Sequence, residues 1–215
     1  MKKEDKDDCI RRYTERYKMY GYSPMALGWG KHSKQNNRFL ALSEIGLKNG
    51  CSVLDVGCGF GDFLKYLNNK KWSGRYKGID LVDDLLAEAL IQNPKGQFAN
   101  IDILNNTFEE KFEYVISSGI FNAKLISENN YKFIELMLSK MFEIATKGVA
   151  ADFLSTYVDF EQENNFHSDP SIMFKIAKTI TKRVAIRHDY LPYEFTLYMY
   201  KNNNINKEMH TFIEE

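Results

Sequence analysis

Histidine, cysteine, proline and surplus charge are all scarce in these 215 residues. There are four histidines, three cysteines and four prolines, and 29 Lys plus Arg balance 29 Asp plus Glu. A chain with no net charge carries no global field to gather nucleic acid, so a nucleic-acid partner is not expected. Cys9, Cys51 and Cys58 are odd in number and form no Cys-x-x-Cys pair, which argues against both a disulfide framework and a zinc site. No apolar run reaches membrane length. The opening Met1-Lys2-Lys3-Glu4-Asp5-Lys6-Asp7-Asp8 leads into no apolar segment, so a cytoplasmic protein without a membrane partner is expected. What is present, 44% hydrophobic and 14% aromatic residues, is ample for a packed core, and the length suits one domain.

Organisation centres on Ser52-Val53-Leu54-Asp55-Val56-Gly57-Cys58-Gly59-Phe60-Gly61-Asp62-Phe63. Val53, Leu54 and Val56 suit a parallel strand covered on both faces, and Phe63, Leu64, Tyr66 and Leu67 then switch to helical spacing. Between them, glycines at 57, 59 and 61 allow positive φ and close approach of a ligand to the backbone. The dinucleotide fingerprint would place its third glycine where Asp62 stands. Asp55 and Asp62 would repel a pyrophosphate and favour a ligand bearing ammonium and sulfonium charges.

That run, Val-Leu-Asp-Val-Gly-x-Gly-x-Gly, resembles the glycine-rich motif of the class I S-adenosylmethionine-dependent methyltransferases. The resemblance implies a three-layer α/β/α sandwich around a seven-stranded, mostly parallel sheet with a terminal antiparallel strand, here preceded by an N-terminal helical cap. It divides the chain into a cap or lid over 1–47, a methyltransferase domain over 48–200 and a polar tail over 201–215. It also implies S-adenosyl-L-methionine as cofactor, S-adenosyl-L-homocysteine as product and a small-molecule acceptor. Oligomeric state is not legible.

Downstream, strands are expected at 76–81, 97–102, 112–117 and 148–154, with helices at 82–91 and 129–146 between them. Asp80 and Asp102 close the first two strands and face the crevice at the carboxyl ends of a parallel sheet. Asp80 stands at the spacing from which a carboxylate reaches ribose hydroxyls and could accept from both. By resemblance, Asp102 and the Ile103 backbone would read adenine. The glycine loop, including Asp55, Gly57, Cys58, Gly59 and Gly61, joins Leu81 and Ser117 as further cofactor contacts. In the cap, a helix over 5–20 and another over 34–48 flank an aromatic, glycine-bearing stretch in which Tyr20, Tyr22 and Trp29 could clamp a sulfonium.

The acceptor side is less determinate. Metal-dependent relatives carry carboxylates after strands four and five; here Ser117 to Asn122 and Ser155-Thr156-Tyr157 offer too few, so metal-independent O-methylation is expected. A hydroxyl acceptor needs a base, and His188 at the end of strand six leads the four histidines, with His167, Tyr157 and Tyr190 lining the pocket. His32 borders the lid and His210 lies in the tail. N-methylation stays open, as does an anionic carboxylate or phosphoryl oxygen held by Arg187 or Lys31. A non-catalytic cofactor-binding module and a nicotinamide oxidoreductase are the remaining readings.

Overall fold

The computed structural model describes residues 1–30, 34–127 and 129–213. Its centre is a seven-stranded sheet in the order β3-β2-β1-β4-β5-β7-β6, made of β1 (Ser52–Val56), β2 (Arg75–Asp80), β3 (Phe98–Asn100), β4 (Phe112–Ser117), β5 (Ala145–Leu154), β6 (Arg183–Leu191) and β7 (Glu194–Tyr200). β1 to β5 pair in parallel, and β7 runs antiparallel to both β5 and β6. The strand order reverses between β1 and β4, and a ligand crevice forms at such a switch point.

Alternation along each strand supplies two cores. Leu54, Val115, Val149 and Ala151 face one side, where they meet Phe133, Ile134, Leu138 and Met141 of α5 (Asn130–Ile144) and Met173 and Ala177 of α6 (Pro170–Ile180). Val53, Ile116 and Ala150 face the other, under Phe39 and Leu42 of α2 (Gln35–Ser43) and Phe63 and Leu67 of α3 (Asp62–Asn69). Burial on both faces explains why these strands read as continuous apolar runs. α6 begins as its sequence requires, with Pro170 in the first turn and the Asp169 carboxylate accepting from Ser171 N–H at 2.7 Å.

The cap is α1 (Lys3–Tyr20), and it lies across the crevice instead of beside it. Ile10, Tyr13 and Tyr17 pack with Leu27 against Phe60, Val82 and Leu85, the last from α4 (Asp83–Gln92). Gly21, at φ 57, ends the helix and turns the chain back over the glycine loop.

Several boundaries differ from expectation. The second cap helix stops at Ser43, whose hydroxyl donates to Phe39 O at 2.6 Å, and Gly46 at φ 118 then redirects the chain. β3 covers only 98–100, because Asp102 turns away to accept from Asn105 and Asn106 N–H through its own carbonyl. β5 starts at Ala145, its polar opening residues paired through Lys147 to Glu113 at 2.8 Å. β6 continues to Leu191 past an irregularity after Arg187, so His188 does not end it as expected. The polar tail forms a hairpin of β8 (Ile205–Asn206) and β9 (Thr211–Phe212), with the Arg183 guanidinium 5.4 Å from the Phe212 ring. Among the described residues no helix is long and apolar enough to cross a membrane.

Candidate active site

A cavity of about 560 Å³ opens at the carboxyl ends of β1, β2 and β4, roofed by α1 and by the turn that follows it. Gly57 and Gly59 form its floor with φ of 74 and 52, a region that side chains rarely adopt. A Cβ on Gly57 would stand 2.1 Å from Ile120 Cγ2, and one on Gly59 3.1 Å from Leu27 of the cap. The loop is therefore bare because both floor and roof approach it closely. Gly61 does not line the cavity; it starts α3 in the left-handed conformation, with the Phe98 ring where its Cβ would be.

Asp80 holds this loop in shape. Its Oδ2 accepts from Gly59 N–H at 2.9 Å, while Oδ1 accepts from Leu81 N–H at 2.7 Å and Val82 N–H at 3.0 Å. A carboxylate offers about four lone-pair sites, so three backbone donors leave one, on Oδ2, for a ribose hydroxyl. Acceptance from two hydroxyls at once, as expected from the sequence, would find a single open site. Burial raises the Asp80 carboxyl above its usual value even though all three N–H groups oppose the shift. Asp55 beneath the loop goes further, pushed up to about 7 by burial and by the charges of Asp80, Asp152 and Asp62, against the Tyr76 hydroxyl that donates to it at 2.7 Å. Cys58 is raised well above its usual value by burial and by Asp80 and Asp55. The floor thus gathers carboxylates whose mutual repulsion either protonation or a bound cation would relieve.

Asp102 lines the same cavity, but the cap occupies part of it: Lys6 Nζ stands 3.0 Å and Asn105 Nδ2 2.8 Å from Oδ2. Burial alone would raise its carboxyl, yet these contacts and Leu104 N–H hold it below the usual value. α1 is fastened at both ends. Asp5 accepts from Ile126 N–H, Ser127 N–H and the Ser127 hydroxyl at one end; Tyr17 donates to Glu88 at 2.7 Å, and Tyr22 to Asp62 at 2.9 Å, at the other. Leu81, Ile103 and Trp29 line the cavity; Tyr22 packs on Phe60 outside it, and Ser117, fully buried, does not reach it.

At the far end Trp29 fits against Gly119, where a Cβ would meet its ring at 2.6 Å, and the Arg38 guanidinium lies 3.9 Å from the Trp29 centroid. Arg38 makes a bidentate pair with Glu194, both bonds 2.5 Å, and its Nη1 has no hydrogen-bond partner among the described residues. Asp152, at the end of β5, accepts from the Ser118 hydroxyl at 2.5 Å and from Gly119 N–H at 2.7 Å. Burial pushes Asp152 up to about 6, although the Arg38 charge and the Ser118 hydroxyl oppose this. Of this cluster only Trp29 was singled out from the sequence; the position of Asp152 near the end of β5 could have suggested the rest.

The expected acceptor residues fall elsewhere. His188 sits between Tyr157 and Phe195, with ring centroids 6.0 and 5.9 Å away, and His167 is held by Ser155 O at 2.8 Å. Neither they nor Tyr157 and Tyr190 line the cavity; Tyr190 accepts from the Thr196 hydroxyl at 2.9 Å. His32 and Lys31 lie outside the described residues, and His210 belongs to the tail hairpin. Arg187 pairs with Asp189 at 2.7 Å and with Glu44, away from the cleft. Arg12, Arg16, Gln162 and Asn164, which line the cavity, were missed because nothing in their sequence spacing ties them to the glycine loop.

Comparison with known proteins is consistent with this geometry. The family model described as FtsJ-like methyltransferase matches residues 38–183. A putative methyltransferase of Mycobacterium tuberculosis, Rv1506c, is 31% identical over 156 residues, which cover 70% of this chain and 93% of that protein. Among solved structures, magnesium protoporphyrin IX methyltransferase from Synechocystis PCC 6803, with bound SAH, covers 91% of this chain and 99% of its own at 14% identity and a TM-score of 0.65. Phosphoethanolamine N-methyltransferase 2 of Haemonchus contortus covers 81% of this chain and 46% of its own at 17% identity and a TM-score of 0.61. At these identities the two structures speak for the fold alone.

Proposed function

The chain belongs to the FtsJ-like methyltransferase family, and from that premise we propose that it transfers a methyl group from S-adenosylmethionine to an oxygen of a small-molecule acceptor without a metal. One observation carries the reading. The glycine floor is ringed by Asp55, Asp62, Asp80 and Asp102, and burial has pushed two of these carboxyls up. A sulfonium and an ammonium would relieve that repulsion, whereas a pyrophosphate would add to it. When bound, S-adenosylmethionine supplies an electrophilic methyl group.

The chain's own residues position the partners. Gly57 and Gly59 admit the ligand to the backbone, Asp80 Oδ2 keeps one acceptor site for a ribose hydroxyl, and Asp102 Oδ1 keeps one beside Leu104 N–H for the base. α1 and Leu27 roof the site over the glycine floor, which confines the partners for an in-line displacement. A roofed cavity of about 560 Å³ suits a cofactor with a small acceptor better than a macromolecular one. Among the described residues no three His, Cys, Asp or Glu side chains converge to hold a metal ion.

The test is S-adenosylhomocysteine release across a panel of small alcohols, carboxylates and amines, with and without excess EDTA. Release that persists in EDTA is expected. Activity lost on chelation and restored by magnesium would overturn the metal-free reading, and release with amines alone would overturn O-methylation.

A further inference from the structure

A neutral hydroxyl must lose its proton as it is methylated, and no described histidine lines the cavity. What does line it, beside the glycine floor and below Trp29, is Ser118, whose hydroxyl donates to the buried Asp152 at 2.5 Å. We propose that Ser118 and Asp152 are the proton exit of the reaction, so that the acceptor is a neutral alcohol or phenol whose hydroxyl docks on Ser118 Oγ. The proposal rests on the S-adenosylmethionine reading above.

In the step, the acceptor O–H bond breaks and its oxygen forms the new bond to the methyl carbon. The carbon–sulfur bond breaks, its electron pair stays on sulfur, and the sulfonium becomes a neutral thioether. The acceptor's proton joins Ser118 Oγ while the Ser118 proton passes to Asp152 Oδ2, so atoms and charge balance. Solvent takes the proton after the product leaves.

The electrostatics of the cluster favour this direction of transfer. Asp152 is faced by Ser118 and Gly119 from the loop after β4, by Arg38 from α2, by Glu194 from β7, by Tyr190 from β6 and, at longer range, by Asp55 of β1. Arg38 is already matched by Glu194, so an ionised Asp152 leaves the cluster with a net negative charge. Taking up a proton neutralises it, which is why burial lifts the carboxyl to about 6, close to the optimum for a base at neutral pH. The same surplus disfavours an anionic acceptor here, and gives a reason for a buried carboxylate aimed at a cavity-lining hydroxyl when Gly119 N–H alone would have fixed the loop.

The experiment compares wild type with Ser118→Ala, Ser118→Thr and Asp152→Asn, using phenol, benzyl alcohol and glycerol as hydroxyl probes and benzoate as the carboxylate probe, with S-adenosylhomocysteine release followed from pH 5 to pH 9. Wild-type turnover of hydroxyl probes should rise as pH passes through about 6, as Asp152 ionises. Ser118→Ala should lower kcat about a hundred- to ten-thousandfold and raise KM for the hydroxyl probes by a smaller factor, with cofactor affinity unchanged, and Ser118→Thr should restore both. Asp152→Asn should also abolish the pH step; if that variant does not fold, the serine pair carries the test. A Ser118→Ala enzyme that keeps its kcat and pH step overturns the relay, as does a wild type that binds S-adenosylmethionine yet turns over benzoate and no hydroxyl probe. Absence of S-adenosylmethionine binding in calorimetry would overturn the reading beneath it.

Discussion

Over β1 to β3 the cleft is furnished by residues within a few positions of a strand end, whereas over β4 to β7 its walls join residues far apart in the chain. On the first side Asp80 reaches back 21 positions to Gly59 N–H, one strand–helix–strand unit. On the second, Arg38 meets Glu194 across 156 positions, Ser118 meets Asp152 across 34, and Trp29 of the cap covers Gly119. Local construction suits a ligand that does not vary, while a wall assembled from distant segments can change its acceptor by changing one of them.

If that contrast is sound, the largest effect of a single substitution should come from the long-range side. Arg38→Ala strands Glu194, nearly buried, beside Asp152, and should cost about 3 to 5 kcal/mol of unfolding free energy in urea titrations. A loss below 1 kcal/mol would mean that the pair is solvated and the cluster is not a unit. On the local side Asp80→Ala should leave the fold intact and weaken S-adenosylhomocysteine binding by about 1.5 to 3 kcal/mol, since both the ribose acceptor and the tie to Gly59 are lost. Unchanged affinity in calorimetry would remove Asp80 from the ribose.

The two sides share a pH signature. Asp55 and Asp152 titrate higher in the folded chain, at about 7 and about 6, than the 3.8 of an unperturbed carboxyl. Each raised value favours folding while the group is protonated, so their contribution is largest below about 4 and fades as pH climbs toward 7. Asp55→Asn should flatten this decline and be more stable relative to wild type at pH 8 than at pH 5; thermal unfolding that shows the opposite sign would contradict the burial argument. The smallest effect should come from the cap's tie, Lys6 to Asp102, partly exposed on the lysine side. Lys6→Ala should cost about 0.2 to 1 kcal/mol and speed amide exchange in α1, with no change in β1 to β7.

The same contrast governs what was legible in the sequence. Strand, glycine turn and helix at 52–69 and the acidic end of β2 are written in neighbouring residues, and they appear where expected. Lys6 against Asp102 was not legible, since a cap lysine 96 positions away leaves no local trace. His188 looked well placed because β6 does end on the crevice side, but the irregularity after Arg187 leaves the ring between Tyr157 and Phe195. Asp152 went unread for the opposite reason: in an apolar strand it resembles an isolated polar residue until Ser118, Gly119 and Arg38 are seen around it.

The central claim is that a carboxylate-ringed glycine floor selects a cationic adenosyl ligand over a dinucleotide, and calorimetric titration of the wild-type protein with S-adenosylmethionine and, separately, with NAD tests it most directly. Saturable binding of S-adenosylmethionine with no detectable heat from NAD is the predicted result. Saturable binding of NAD, with S-adenosylmethionine failing to bind or to compete, would contradict the account at its base.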